Sequence, residues 1–324
     1  MDFRDLSLFA IAKGLSLVVG TGRYQRLTTL IYHRVLPEPD FMRPSEPDIA
    51  QFDWQMALLS RYFQPISLQE GRERLKDGTL PERAVCVTFD DGYADNAELA
   101  LPILKKYRVP ATVFIATGFL NGGRMWNDSV VESIRHMPGD LLDLKGIGLG
   151  VYNLGTRVER RLSANRLLLE IKHMELNRRQ EITDYVAEQS ENLPVSLMMS
   201  DAQVVELHKG GIEIGGHTHS HPILSSLNET DALSEIEVGK KYLEKLLGET
   251  VSSFAYPNGR PSQDFLPTHR NMVTELGFSM AVTTEPGVAS NKTDVFMIPR
   301  FTPWDKTPTK FMARLLLNTR NLVC

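Results

Sequence analysis

Short apolar runs rich in β-branched residues alternate along this chain with longer stretches of helical period. The runs LTTLIYH (27–33), AVCVTFD (84–90), ATVFIAT (111–117), GIEIGG (211–216), VSSFAY (251–256), SMAVTT (279–284) and VFMIP (295–299) predict strands. Helical period over 51–62, 68–77, 94–107, 200–210, 230–247 and 263–276 predicts the helices between them. The stretch 230–247 is the clearest. There Leu233, Ile236, Leu243, Leu246 and Leu247 make one apolar stripe, and Gly248 supplies a stop. Continuous apolar strands alternating with amphipathic helices specify a parallel sheet covered by helices. Seven such strands are one short of the usual eight-stranded α/β barrel.

Two segments depart from this rhythm. Residues 120–199 hold no convincing strand and a long polar, helix-favouring stretch, which predicts a helical insertion within a single barrel domain spanning 1–324. Residues 6–20 (LSLFAIAKGLSLVVG) are apolar but interrupted by Lys13, and are too short for a spanning helix. Asp2 and Asp5 offset Arg4, and no small-residue cleavage pattern follows, so the segment does not read as a secretory signal. A short helix packed on the body of the protein is expected, with peripheral membrane contact as the alternative. The corresponding location is cytoplasmic, with membrane association as its variant.

Composition removes whole classes of function. Of 324 residues 42% are hydrophobic, which excludes disorder as the overall state. A net charge of −4 argues against a nucleic-acid partner, which calls for a basic surplus. Two cysteines, Cys86 inside an apolar run and Cys324 at the last position, exclude a disulfide framework and a cysteine-based zinc cluster.

Candidate chemistry gathers at two strand ends. In TFDDGY (88–93) an apolar strand runs into Asp90 and Asp91, with Gly92 allowing a sharp turn. Asp-Gly is also an ordinary turn pair, so the motif alone leaves both readings open. In GGHTHSHP (215–222) three of the chain's eight histidines fall within five residues. His217 and His221, in an H-x3-H spacing, suit one divalent ion, and an Asp oxygen completes such a set. His219 is expected to point away as a structural group. Amidohydrolase barrels place their H-x-H on the first strand, whereas His217-x-His219 comes two-thirds of the way along. Metallo-β-lactamase-like enzymes want an Asp where Ser220 stands.

Taken together, the Asp-Asp strand end and the later H-[ST]-x-x-H-P resemble the polysaccharide deacetylase family (carbohydrate esterase family 4, the NodB-homology domain). The resemblance covers residues 27–119 and 200–305 and implies a deformed (β/α)7 barrel with a helical insertion. It implies Asp90 as catalytic base and Asp91, His217 and His221 as ligands of a divalent metal, zinc first, with Co or Ni as alternatives. FAYPNG (254–259) aligns with the family's R-x-P-Y region and puts Asn258 where a backbone N–H forms the oxyanion hole. The family's Arg, which holds the catalytic Asp, falls on Ala255. Arg300 in MIPRF is the candidate substitute, with Arg260 second. The family's closing L-x-H is absent, because no histidine follows His269. LIYHRV (30–35) instead offers His33 as general acid, resembling the circularly permuted branch that de-N-acetylates poly-N-acetylglucosamine. His136, His173, His208 and His269 read as solvated.

The implied activity is metal-dependent removal of N-acetyl groups from amino sugars of a polysaccharide or its lipid-linked precursor, in exopolysaccharide biosynthesis. The implied partner is an N-acetylated oligo- or polysaccharide. The same barrel is compatible with hydrolysis of another amide or of an O-acetyl ester. An inactive carbohydrate-binding module is the remaining alternative, and a full set of base, ligands and acid speaks against it.

Overall fold

Seven strands follow one another around a parallel barrel in chain order: β1 (Thr28–Tyr32), β2 (Ala84–Phe89), β3 (Ala111–Ile115), β4 (Glu213–Gly216), β5 (Ser253–Ala255), β6 (Met280–Pro286) and β7 (Ile298–Arg300). The computed structural model describes residues 25–319 and 321–323, so the helix expected at 6–20 and Cys324 lie outside the described residues. A two-residue strand, Gln64–Pro65, adds to the start of β2. The ring is closed between last and first strands, where Phe301 N–H donates to Thr29 O (2.8 Å) and Ile31 N–H donates to Phe301 O (3.0 Å). All five residues of β1 and all six of β2 are buried, which is why these strands read as unbroken apolar runs.

Helices α1 (Ile49–Tyr62), α2 (Leu68–Asp77), α3 (Leu101–Tyr107), α4 (Asp201–Lys209), α5 (Glu229–Leu247), α6 (Pro267–Glu275) and α7 (Pro308–Asn318) complete this unit. Their starts are capped by side chains: Asp48, Ser67, Ser200, Asn228 and Thr307 each accept a first-turn backbone N–H. A π-helical turn, Asn96–Ala100, leads into α3. The buried face of α5 is Ala232, Ile236, Gly239, Lys240 and Leu243. Leu233, assigned to the apolar stripe from sequence, is 38% exposed, because the buried arc passes through Ala232 and Ile236 and leaves it to one side.

The chain divides into two compact units, the barrel unit and a second made of Pro39–Ser45 and Phe119–Met198. The second unit contains helices Trp126–His136, Arg157–Ile171 and Leu176–Glu188. It also contains a short antiparallel pair, Leu141–Asp143 with Val151–Asn153, in a stretch whose sequence predicted no strand. Val130, Ile134, Tyr152, Leu167, Ile171 and Val186 form its own buried core. The segment 39–45 joins it through ion pairs, Arg43 to Asp128 (2.6 Å) and Arg135 to Asp40 (3.0 Å). Among the described residues no helix is long and apolar enough to cross a membrane.

Candidate metal centre and catalytic residues

Strand register assembles the site. Tyr32 on β1 pairs with Phe89 on β2, so the next residues, His33 and Asp90, emerge side by side at the C-terminal end of the barrel. Asp90 N–H donates to Tyr32 O (3.0 Å) and fixes that level. Ile115 pairs with Gly216, and Gly216 with Phe254, so His217 leaves β4 between Ala116 and Ala255. Asp91 and Gly92 both adopt left-handed backbone (φ 77° and 89°), which turns the chain sharply at the end of β2.

Asp91, His217 and His221 converge. The Nε2 atoms of His217 and His221 each lie 3.4 Å from Asp91 Oδ1, and the three atoms fall within 4.8 Å of one another. Metal–ligand bonds of about 2.0–2.2 Å in tetrahedral array separate ligand atoms by about 3.3–3.6 Å, so the Asp91 distances fit one small divalent ion. The donor chemistry fits too. His217 Nδ1 lies 2.7 Å from Ala255 O, a pure acceptor, so Nδ1 carries a proton and Nε2 is the ring nitrogen turned to the cluster, its lone pair free for an ion once the ring is neutral. Two imidazoles and one carboxylate suit a borderline ion.

Electrostatics follow from this crowding. Burial pulls the Asp91 carboxyl upward, but its contact with His217 and the His221 ring overcome this and hold it well below the usual carboxylate range. Burial lowers both histidines. For His217 the Asp91 and Asp90 carboxylates reverse the sign, whereas His221 is left pushed down to about 4. A neutral His221 keeps its lone pair available at neutral pH.

Asp90 is held on its other side. Arg300, 1% exposed, donates from Nη1 to Asp90 Oδ1 (2.6 Å) and from Nη2 to Asp90 Oδ2 (2.7 Å). The same guanidinium donates to Thr283 O (2.8 Å) and Thr88 Oγ1 (3.2 Å), which sets its plane. Burial raises the Asp90 carboxyl, but the Arg300 charge and then His217 outweigh it, and the net direction is down. Arg260, the second candidate, is exposed, and its backbone N–H donates to Asp264. His33 is half-buried at the end of β1, level with Asp90 in the strand register. Asn258 stands in the turn after β5 with left-handed backbone (φ 57°), its carbonyl accepting from Thr284 Oγ1 (2.5 Å).

Other residues were not marked by the sequence. Asp95 accepts from Arg34 Nε (2.8 Å) and Val35 N–H (3.1 Å), and Asn96 Nδ2 donates to His33 O (2.9 Å), pinning the loop that carries His33. Their only sequence signal is closeness to TFDDGY. His219 turns aside: its Nδ1 lies 3.0 Å from Thr117 Oγ1, outside the Asp91 group. His269 corrects an expectation. Far from solvated, it is 2% exposed, and its Nδ1 accepts Leu266 N–H (2.9 Å) at the start of α6, where an orphan helix donor needed a partner.

A family model described as polysaccharide deacetylase matches residues 77–281. Among curated proteins, Bacillus subtilis YxkH is 24% identical over 283 residues, covering 87% of this chain and 73% of its own length. The poly-β-1,6-N-acetyl-D-glucosamine N-deacetylase of Staphylococcus aureus is 25% identical over 261 residues, 78% of this chain and 65% of that protein. The chain therefore spans just under two thirds of the staphylococcal protein. Among solved structures, the Streptococcus pyogenes deacetylase PplD in complex with acetate superposes with a TM-score of 0.60 at 20% identity, over 90% of this chain and 98% of that one. IcaB from Ammonifex degensii gives 0.57 at 21% identity, over 90% and 96%. These likenesses share the deformed seven-stranded barrel.

Proposed function

The chain belongs to the polysaccharide deacetylase family, and from that premise we propose that it is a metal-dependent hydrolase removing N-acetyl groups from amino sugars. The substrate we assign is a β-linked N-acetylglucosamine polysaccharide or its lipid-linked precursor, in exopolysaccharide biosynthesis, in keeping with the activity named for the staphylococcal relative. The observation that carries the reading is the pairing, at one barrel mouth, of an Asp-His-His cluster with a second carboxylate held by a buried arginine.

Asp91, His217 and His221 are the residues that would hold the ion, zinc by donor set, with Co or Ni as alternatives. When bound, the ion supplies Lewis-acid polarisation of the acetamide carbonyl and favours ionisation of water. Asp90 takes the proton of the attacking water. Arg300 occupies one lone pair on each of its oxygens, and a carboxylate has about four, so acceptor capacity remains. The Asn258 backbone N–H is the donor we assign to the developing oxyanion, a role that needs no particular side chain. His33, protonated, hands its proton to the departing amine, without which an amine leaves poorly. The products are acetate and a free amino sugar.

Acetate release from a panel of N-acetylated and O-acetylated glycans, with and without chelator, tests the proposal. Chelator-sensitive release from N-acetylglucosamine oligomers supports it; release from O-acetyl esters alone, or release indifferent to chelator, overturns it. A lipid-linked substrate would be met at a membrane face, and fractionation of native cells tests the cytoplasmic, membrane-proximal location that goes with it.

A further inference from the structure

Both histidines of the ion cluster ride on one short loop, and that loop is backbone-strained. Thr218 (φ 64°) and His221 (φ 56°) both occupy the left-handed region, which a β-branched threonine rarely enters. Such a conformation persists only where surrounding contacts over-determine it. Within the loop, Thr218 Oγ1 accepts His221 N–H (3.1 Å) and donates to His217 O (2.5 Å). The external restraint comes from α5. Glu235 Oε2 accepts the N–H groups of His219 (3.0 Å) and Ser220 (2.7 Å), while Oε1 accepts from Ser220 Oγ (2.6 Å). One turn further along the same helix, Gly239 lies against the loop so closely that an added Cβ would stand 2.7 Å from Thr218 O. On the opposite side Gly118 N–H donates to His219 O (2.7 Å).

We propose that Glu235 is the positioning residue of the ion site: its carboxylate gathers three donors of the 217–221 loop and so sets the affinity for a divalent cation. The inference rests on the reading of Asp91, His217 and His221 as ligands. Glu235 does not belong to that group; it acts through the loop that presents two of its members. Outer partners of this kind typically alter metal affinity by about 10–100-fold. The geometry makes a specific demand on the conservative variant. A glutamine can accept both backbone N–H groups with its carbonyl oxygen and donate its amide N–H to Ser220 Oγ, so all three contacts survive without the charge.

The test is zinc affinity of metal-stripped protein, read by competition with a chromophoric chelator. Wild type, Glu235→Ala, Glu235→Gln and His217→Ala are compared, with thermal midpoints of the apoproteins alongside. Glu235→Ala should bind zinc about 10–100-fold more weakly with its apoprotein midpoint little changed, and Glu235→Gln should stay within about threefold of wild type. Unchanged affinity in Glu235→Ala overturns the proposal. Equal loss in Ala and Gln variants also overturns it, because the charge and not the tethering geometry would then matter. Should Glu235→Ala not fold, Ser220→Ala takes its place, removing only the hydroxyl contact: a few-fold weakening supports the clamp, and none overturns it. His217→Ala separates the two readings, since retained zinc there sinks the ligand assignment rather than the role of Glu235.

Discussion

Arg300 meets Asp90 through two parallel hydrogen bonds, 2.6 and 2.7 Å long, between side chains that are both almost wholly buried. The pair joins the last barrel strand to the end of the second, across 210 residues of sequence. It orients the carboxylate proposed as base, and at the same time lowers its proton affinity. The compromise is a weaker base held in one orientation.

Replacing Arg300 by Met leaves Asp90 buried without its counter-ion. Removing one partner of a buried pair costs about 3–5 kcal/mol, so chemical denaturation should show a loss of that order. The sign for activity follows from the shift. Arg300 holds the Asp90 carboxyl down, so without it the acid limb of kcat/KM against pH moves upward. An unmoved limb would mean that another group controls it.

Replacing His33 by Gln should lower kcat on an N-acetylated sugar by about 10²–10⁴-fold, the usual worth of a general acid, with metal content unchanged. An activated aryl acetate, whose leaving group needs no proton, should lose far less. Equal losses on both substrates would remove His33 from the acid role.

Asp90 and Asp91, adjacent in sequence, should separate by metal analysis. Asp91→Ala is expected to lose bound metal, whereas Asp90→Asn should keep near-stoichiometric metal and lose about 10²–10⁴-fold in turnover. Zinc lost from Asp90→Asn would reassign that residue as a ligand.

Asp95 gives a stability prediction with a defined pH window. Burial, only partly offset by Arg34, raises its carboxyl from 3.8 to about 6. A carboxyl raised in the folded state contributes most below about pH 4, and that contribution is lost as pH climbs through 6. Asparagine does not titrate, so Asp95→Asn should gain on wild type by on the order of 1–3 kcal/mol between pH 4 and 7. The measurement is denaturant unfolding across that range. A difference that stays flat with pH returns Asp95 to an ordinary carboxylate.

Much of this architecture was legible because barrel strands are buried on both faces and carry no polar alternation to blur them. All seven predicted runs contain strands, and His33, Asp90 and His217 could be located as polar residues just beyond an apolar end, whereas Asn258 was marked only through the resemblance. Arg300 was marked at the end of the last strand, in the apolar context MIPRF, as the substitute for the family's missing arginine, and the fold gives it Asp90 as a buried partner. Illegible features depend on contacts between distant segments. Glu235 looks like any acid on the polar face of α5, since its three donors lie about 15 residues earlier in the chain and meet it only in the fold. His269 looked solvated because a helix-capping role leaves no periodic trace. Leu233 joined the wrong stripe because apolar type outweighed the true contact arc, which runs through Gly239 and Lys240.

Barrel closure also couples the two ends of the site. The proposed acid sits on the first strand, and the arginine that aims the proposed base sits on the seventh, joined by the hydrogen bonds of Phe301 to Thr29 and Ile31. In chain order His33 comes first, then Asp90 and Asp91, then His217 and His221, and Arg300 last. The same segment, 298–301, thus both closes the ring on β1 and supplies the counter-ion of Asp90. The aim of the proposed base is therefore tied to the contact that closes the ring, rather than to the strand that carries it.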